Sequence, residues 1–236
     1  RGQAIWAAGI LLGYWAASQW IAVPPAGGGP AQAGVITPEG FFTGYLDRCL
    51  LPGRTYRPTH DPEGIFLPIP GAALALIGAI CGRRLMDQGR SALRKTGGLA
   101  LGGLASLVLA LWVQAAGFPI IKNCWSSSFV LFAAGWAMLL LALFYLVIDV
   151  WQWRAWTLPL VVIGVNPILI YLGAGLLDLD GIARRLFGGI NGYLDTVTWL
   201  ALNGRGIGGV LNAASLLLVE CVFLYLLYRK RVFVRV

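Results

Sequence analysis

The stretch FPIIKNCWSSSFVLF, residues 118–132, sets a lysine, an asparagine, a tryptophan and three serines at the mouth of an apolar run. Lys122 offers a mobile cation, Asn123 and Ser126 offer hydrogen bonds, and Trp125 offers a flat aromatic face. A plainer reading makes the same residues an interface anchor, with Lys122 reaching headgroups, Trp125 in an aromatic belt and the serines capping a helix. A second chemical group lies upstream in GYLDRCLLPGRTYRPTHDPEG, residues 44–64. Asp61 and Glu63 flank a turn, where a carboxylate can accept from a hydroxyl or an ammonium, or face the positive end of a following helix. Asp47 and Arg48 pair with each other or with the DPEG turn; an exposed pair adds little stability, so its use would be to position the loop. His60 reads as a solvated loop histidine, because a near-neutral pKa alone does not make a base. Asn166 precedes Pro167 inside an apolar run, where the proline frees a carbonyl that the amide or a neighbour can meet. Glu220 is a carboxylate within the last apolar run, either functional or paired inside the bundle.

The elements that carry these residues follow from composition. Of 236 residues, 58% are hydrophobic and 12% charged, with mean hydropathy +0.74. A soluble domain carries about 25% charged residues, and apolar runs of about 18–25 residues cross a bilayer as helices. Six such runs occur, at 4–22, 65–82, 98–117, 126–148, 157–177 and 207–228. Unpaired backbone is not tolerated in lipid, and the period-2 alternation of a membrane barrel is missing. The expectation is an all-α, polytopic membrane bundle, one transmembrane domain over 1–236, with six transmembrane helices and a long outer loop at 23–64.

The net charge of +8 is read as a topology signal rather than as a nucleic-acid surface. Six spans put both termini on one side with Arg1, the cluster Arg83, Arg84, Arg90, Arg94 and Lys95, then Arg154, Arg229, Lys230, Arg231 and Arg235. Fewer cations, Arg48, Arg54, Arg57, Lys122, Arg184, Arg185 and Arg205, fall on the other side. Both termini are therefore expected in the cytoplasm. The front half of loop 23–64, VPPAGGGPAQAG, reads as a spacer and the second half as ordered. Loop 178–206 holds an amphipathic segment suited to lying on the membrane, and Trp151, Trp153 and Trp156 fit an interfacial belt.

GYLDRCLLPG followed by DPEG, FPIIKNCWSSSFVL, FYLVIDV, GVNPILIYLG and LLYRKRVFVRV stand in one order from about residue 40 onward. Together they resemble the heparan-α-glucosaminide N-acetyltransferase family and its bacterial relatives. The resemblance implies a multispanning enzyme of a bacterial cytoplasmic membrane that uses cytosolic acetyl-CoA as co-substrate to acetylate a sugar amine on the far side. It covers the C-terminal half of that family; the family's catalytic histidine lies upstream. The opening on Arg1 fits an N-terminal half outside this sequence, and no catalytic residue is assigned here. His60 is not given the catalytic role, and Ala174 stands where some relatives carry a histidine.

Under that resemblance Lys122, Asn123, Trp125 and Ser126 match an NKNxWS pattern, with Ile121 in place of its first Asn. Lys122 would neutralise a glycan carboxylate or sulfate or pair with Glu63, Asn123 and Ser126 would bind hydroxyls, and Trp125 would stack on a sugar ring. Asp47, Arg48, Asp61, Glu63 and Asn166 complete the substrate-binding candidates, with Asn166 available to the pantetheine amides. Phosphate binding of the coenzyme at the basic connector Arg83–Lys95 is a further reading, beside topology. Cys49 and Cys124 replace leucines of the relatives on the same outer face, which makes them a candidate disulfide. One histidine and scattered cysteines offer no metal site. Two functions follow: a membrane acyltransferase acting on a sugar amine or hydroxyl, or a catalytically silent homologue serving as a structural subunit of a larger membrane assembly. The expected partners are the bilayer, a sugar acceptor, and either the missing N-terminal half or other membrane subunits.

Overall fold

The computed structural model describes residues 2–51, 53, 56–201 and 206–233, and no side chain is described at 172–176 or 201. Arg1, Pro52, Arg54, Arg205, Arg235 and the Ala174 side chain therefore lie outside the described part. Among the described residues the regular elements are all helices, apart from one isolated antiparallel bridge between Val23 and Gln32. It forms two compact units, Arg1–Gln152 and Trp153–Val236.

The first unit opens with α1 (Gly2–Trp20), then α2 (Phe42–Leu50), α3 (Pro68–Met86), α4 (Ala92–Ala115) and α5 (Ser127–Phe144). A short 3-10 turn at Lys122–Cys124 precedes α5, and a wide π turn at Tyr145–Val150 prolongs it. Pro68 sits in the first turn of α3, where its missing N–H is no loss and its fixed φ suits the helix. Helices α4 and α5 approach closely because Gly103 and Gly135 face one another: a Cβ on Gly135 would meet Leu107 Cγ at 2.6 Å and the Gly103 carbonyl at 3.0 Å. Beside that contact the Ser106 hydroxyl donates to the Leu131 carbonyl at 2.7 Å. Ala7, Leu11, Ala73 and Val130 form the apolar junction of α1, α3 and α5.

The second unit holds α6 (Leu158–Val165), α7 (Pro167–Leu176), α8 (Leu179–Ala201) and α9 (Gly208–Arg229). The run expected as one span at 157–177 is broken at Asn166, whose φ −135 and ψ 51 leave the helix. The cause is Pro167, which disfavours helical backbone at the residue before it. α8 is the amphipathic segment expected at 178–206. It packs along α9, with Asn191 Nδ2 donating to Asn212 Oδ1 and Ser215 Oγ, both at 2.9 Å. The Asp195 carboxylate receives the Gly208 N–H at 2.6 Å where α9 begins.

Among the described residues, four helices are long and apolar enough to cross a membrane: Pro68–Met86, Ala92–Ala115, Ser127–Val150 and Gly208–Arg229. Only 11–22% of their most apolar windows is buried within the protein, so most of that apolar surface faces outward. The protein is an integral membrane protein. The other two expected spans are the divided α6–α7 run and α1, whose apolarity is diluted by Gln3, Trp6, Trp15, Gln19 and Trp20. The spacer expected in the front half of loop 23–64 is instead closed on itself. Val23 and Gln32 exchange two backbone hydrogen bonds of 3.0 Å, and Gly28, Gly29 and Gly34 take the positive φ that the turns need.

The Gly103–Gly135 contact yields a test. Gly135→Leu forces a side chain into the Gly103 carbonyl and should destabilise the first unit by about 1–3 kcal/mol. Gly9→Leu, in open space on α1, should shift the detergent-solubilised melting temperature little; equal shifts would refute the close packing.

Candidate functional site

The candidate residues of the first unit fall into two groups. In one, the segment from Thr59 to Ile65 is laid along α2. The backbone of Gly44 faces His60, and that of Asp47, one turn later, carries a carboxylate lying against Gly64. A side chain on Gly64 would occupy the space of that carboxylate. Asp47 is 1% exposed; its Oδ1 accepts the Ile65 N–H at 3.1 Å, and its Oδ2 is buried with no hydrogen-bond partner among the described residues. Burial lifts this carboxyl above its usual range, opposed by the Ile65 N–H and aided by the charge of Asp61.

Arg48 does not pair with Asp47. Its guanidinium donates to the carbonyls of Thr59 at 2.6 Å, Pro24 at 3.2 Å and Glu39 at 3.4 Å, and lies 5.8 Å from the Tyr45 ring centre. One rigid fork thus ties three separate parts of loop 23–64 together. Its partners are backbone carbonyls rather than a carboxylate.

Asp61 and Glu63 do not cap the next helix, which begins only at Pro68 with no side-chain cap. Asp61 instead closes a local turn, its carboxylate receiving the N–H of Glu63 at 2.9 Å and of Tyr56 at 3.1 Å. Glu63 is exposed. His60 is not solvated: it is 4% exposed, Nδ1 lies 3.0 Å from the Thr59 hydroxyl, and Nε2 is buried without a partner among the described residues. Its burial against the Gly44 backbone depends on how the loop folds back, which no local pattern reveals.

The second group turns out to be a structural knot. Ser126 is fully buried and caps α5: its hydroxyl accepts the N–H of Phe129 at 3.2 Å and of Ile121 at 3.0 Å, and lies 3.0 Å from the Pro119 carbonyl. Ser128 donates to the same carbonyl at 2.7 Å, and Ser127 to the Leu11 carbonyl of α1 at 2.7 Å. From α1 the Tyr14 hydroxyl returns a 2.8 Å bond to the Cys124 carbonyl. Trp125 takes a left-handed φ of 46° and packs with the junction of α1, α3 and α5, its ring 5.9 Å from Phe129. It is half-buried against that core rather than fully open. Asn123 is half-buried and Lys122 exposed; the described ion pairs are Arg90–Asp87 and Arg184–Asp180, so Lys122 is not joined to Glu63.

The candidate disulfide is absent, because both cysteines are free. Cys124 is buried with Tyr14, Val23, Phe41 and Phe42, whereas Cys49 is exposed on α2. Burial, with the charge of Glu39 adding, pushes the Cys124 thiol up to about 12, so it stays protonated and inert. In the second unit Asn166 is fully buried, and its amide donates to the Val232 carbonyl at 3.1 Å, just beyond α9.

Two measurements follow. Ser126→Ala should destabilise by about 1–3 kcal/mol, because it strips a cap and strands buried donors, while Lys122→Ala should stay within about 0.5 kcal/mol; thermal unfolding of both variants checks this. The native pKa of Asp47 lies above the unfolded one, so the folded state binds more protons between them and stability falls as pH rises through that window. Asp47→Asn should flatten this fall in a series of melting curves from pH 4 to pH 8; an unchanged pH profile would contradict it.

No protein-family model matches the chain. Among curated proteins it is 34% identical over 159 residues to the mouse (Mus musculus) heparan-alpha-glucosaminide N-acetyltransferase, a match covering 59% of this chain and 24% of that protein. Against the human (Homo sapiens) protein of the same name it is 33% identical over 155 residues, 57% of this chain and 23% of the relative. The matched part thus spans about a quarter of the length of these relatives, and the family resemblance carried by the motifs is supported.

Proposed function

We propose that this chain is the helical membrane part of an acyltransferase that moves an acetyl or acyl group from cytosolic acyl-CoA to a sugar amine or hydroxyl on the outer face. The observation that carries the reading is its similarity to two N-acetyltransferases over more than half its length. Acyl transfer to an amine needs a base for the ammonium proton, donors for the oxyanion and groups that hold both substrates. The clipped loop over α2 supplies an ordered surface with two buried titratable side chains, Asp47 and His60, and the exposed Lys122 and Glu63 offer charges of both signs. In this reading all six expected segments cross or enter a bacterial cytoplasmic membrane, with both termini in the cytoplasm. The catalytic histidine is supplied by a polypeptide segment outside this sequence.

A second reading, a catalytically silent homologue serving as a structural subunit of a larger membrane complex, is favoured by one observation. The sole histidine of the chain, His60, is shut in beside Thr59 rather than opened to a substrate.

The test is acetyl transfer from radiolabelled acetyl-CoA to glucosamine, with this chain purified alone and within native membranes. The chain alone should give no turnover, and the membranes should lose turnover when the chain is deleted. Turnover by the chain alone that His60→Ala abolishes would overturn the assignment of the base elsewhere; membranes indifferent to the deletion would favour the silent subunit.

A further inference from the structure

Helix α8 wears its polar and apolar sides the opposite way round from a helix in water. Its less exposed line, Phe187, Asn191, Asp195 and Thr198, recurs at helical spacing, and Asn191 and Asp195 on it hold the bonds to α9. The outward line, Leu186, Ile190, Tyr193, Val197 and Leu200, is exposed throughout. A helix on a water-soluble protein turns its apolar stripe inward. The amide, carboxylate and hydroxyls of this stretch all have partners: Thr196 and Thr198 donate to the Gly192 and Leu194 carbonyls of their own helix, both at 2.9 Å. The bonds to α9 also fix a direction. Asp195 meets Gly208, and Asn191, one turn back, meets Asn212 and Ser215, one and two turns on. α8 thus runs antiparallel beside α9, a helix long and apolar enough to cross a membrane. Charge gathers at the other end of α8. Asp178 accepts the Gly181 N–H at 3.0 Å, and Arg184 reaches back one turn to Asp180 at 2.8 Å, the direction in which helical side chains lean. The α6–α7 break is tied to the end where α9 finishes, because Asn166 donates to the carbonyl of Val232, three residues beyond Arg229.

We propose that α8 and α9 form a membrane-inserted hairpin, with the outward line of α8 against lipid acyl chains, and that α6–α7 enters the membrane without crossing it. A helix lying on a membrane turns its polar face to water. In α8 that face is consumed by α9, through the interhelical amide and hydroxyl bonds that hold helices together in lipid. Its outward line continues the exposed apolar surface of α9, which carries Val210, Leu217, Leu218 and Val222. The charged start and the engaged polar residues keep α8 out of the apolar runs read from the sequence. α8 takes the place of 157–177 as a crossing segment, so the two termini stay on one side. Arg184 and Arg185 then join Arg229, Lys230 and Arg231 on that side, which sharpens the cation bias, and their long stems snorkel towards it. The inference rests on the membrane character of the chain and not on acyl transfer.

The experiment uses the whole chain in nanodiscs, with a nitroxide carried on a ketone-bearing amino acid at Leu186, Ile190, Tyr193, Val197 or Leu200. That chemistry leaves the four native cysteines untouched, and each position is exposed, so the α8–α9 contact stays intact. Paramagnetic resonance reads depth from collisions with oxygen against collisions with a water-soluble nickel chelate. Depth should grow by about 1.5 Å per residue from Leu200 towards Leu186. A uniformly shallow reading along the line, as for a helix resting on the surface, overturns the proposal. Sidedness is read in sealed vesicles with a membrane-impermeant hydrazide dye and the same amino acid at Leu177 or Lys230, both exposed. The two positions should label from the same side; labelling from opposite sides overturns the hairpin. Neither measurement involves turnover, so failure here leaves the acyl-transfer reading standing.

Discussion

A chain entering an apolar helix must satisfy every backbone donor before water is lost, and the turn into α5 is where this protein meets that constraint most severely. Pro119 cannot donate, Trp125 takes a left-handed backbone, and the first turn of α5 is buried. The hydroxyls of Ser126 and Ser128 gather the loose ends around the Pro119 carbonyl. Ser127 and Tyr14 then fasten this turn to α1 from both directions. Without that knot the N-terminus of α5 would expose unpaired amides, and Trp125 would lose its seat between α1 and α3.

The ordered half of loop 23–64 rests on this frame. Phe41 and Phe42 pack against Tyr14, so α2 starts on the same α1 residue that holds the α5 turn. From α2, Arg48 gathers the backbone at 24, 39 and 59, and Asp47 holds the start of the next segment at Ile65. A buried carboxylate with one unpaired oxygen is a destabilising feature taken by itself.

The two arginine roles in the first unit contrast. Arg48 spends its donors on carbonyls and organises a loop. Arg84 instead lies on the α4 backbone at Gly98, with its Nε buried there and without a hydrogen-bond partner among the described residues.

Membrane character, the helical class and the stretches that carry α3, α4, α5 and α9 are legible in the sequence, because lipid burial demands long uncharged runs whatever their partners. The amphipathic segment at 178–206 and the helix-breaking dipeptide Asn166–Pro167 are equally local signals. The roles of the polar residues were not local. Ser126 and Trp125 carry residue types that suit a binding site as well as a cap or a core, and only their tertiary neighbours decide between these. Asp47 and His60 look solvated in a Gly- and Pro-rich loop, yet folding of that loop onto α2 buries both. Cys49 and Cys124 share an expected face, but a shared face sets no distance, and packing puts one thiol inside the Tyr14–Phe41 cluster and leaves the other exposed. Local chemistry therefore determined which segments are helices, while long-range packing decided which polar groups are consumed by the fold and which remain for a ligand.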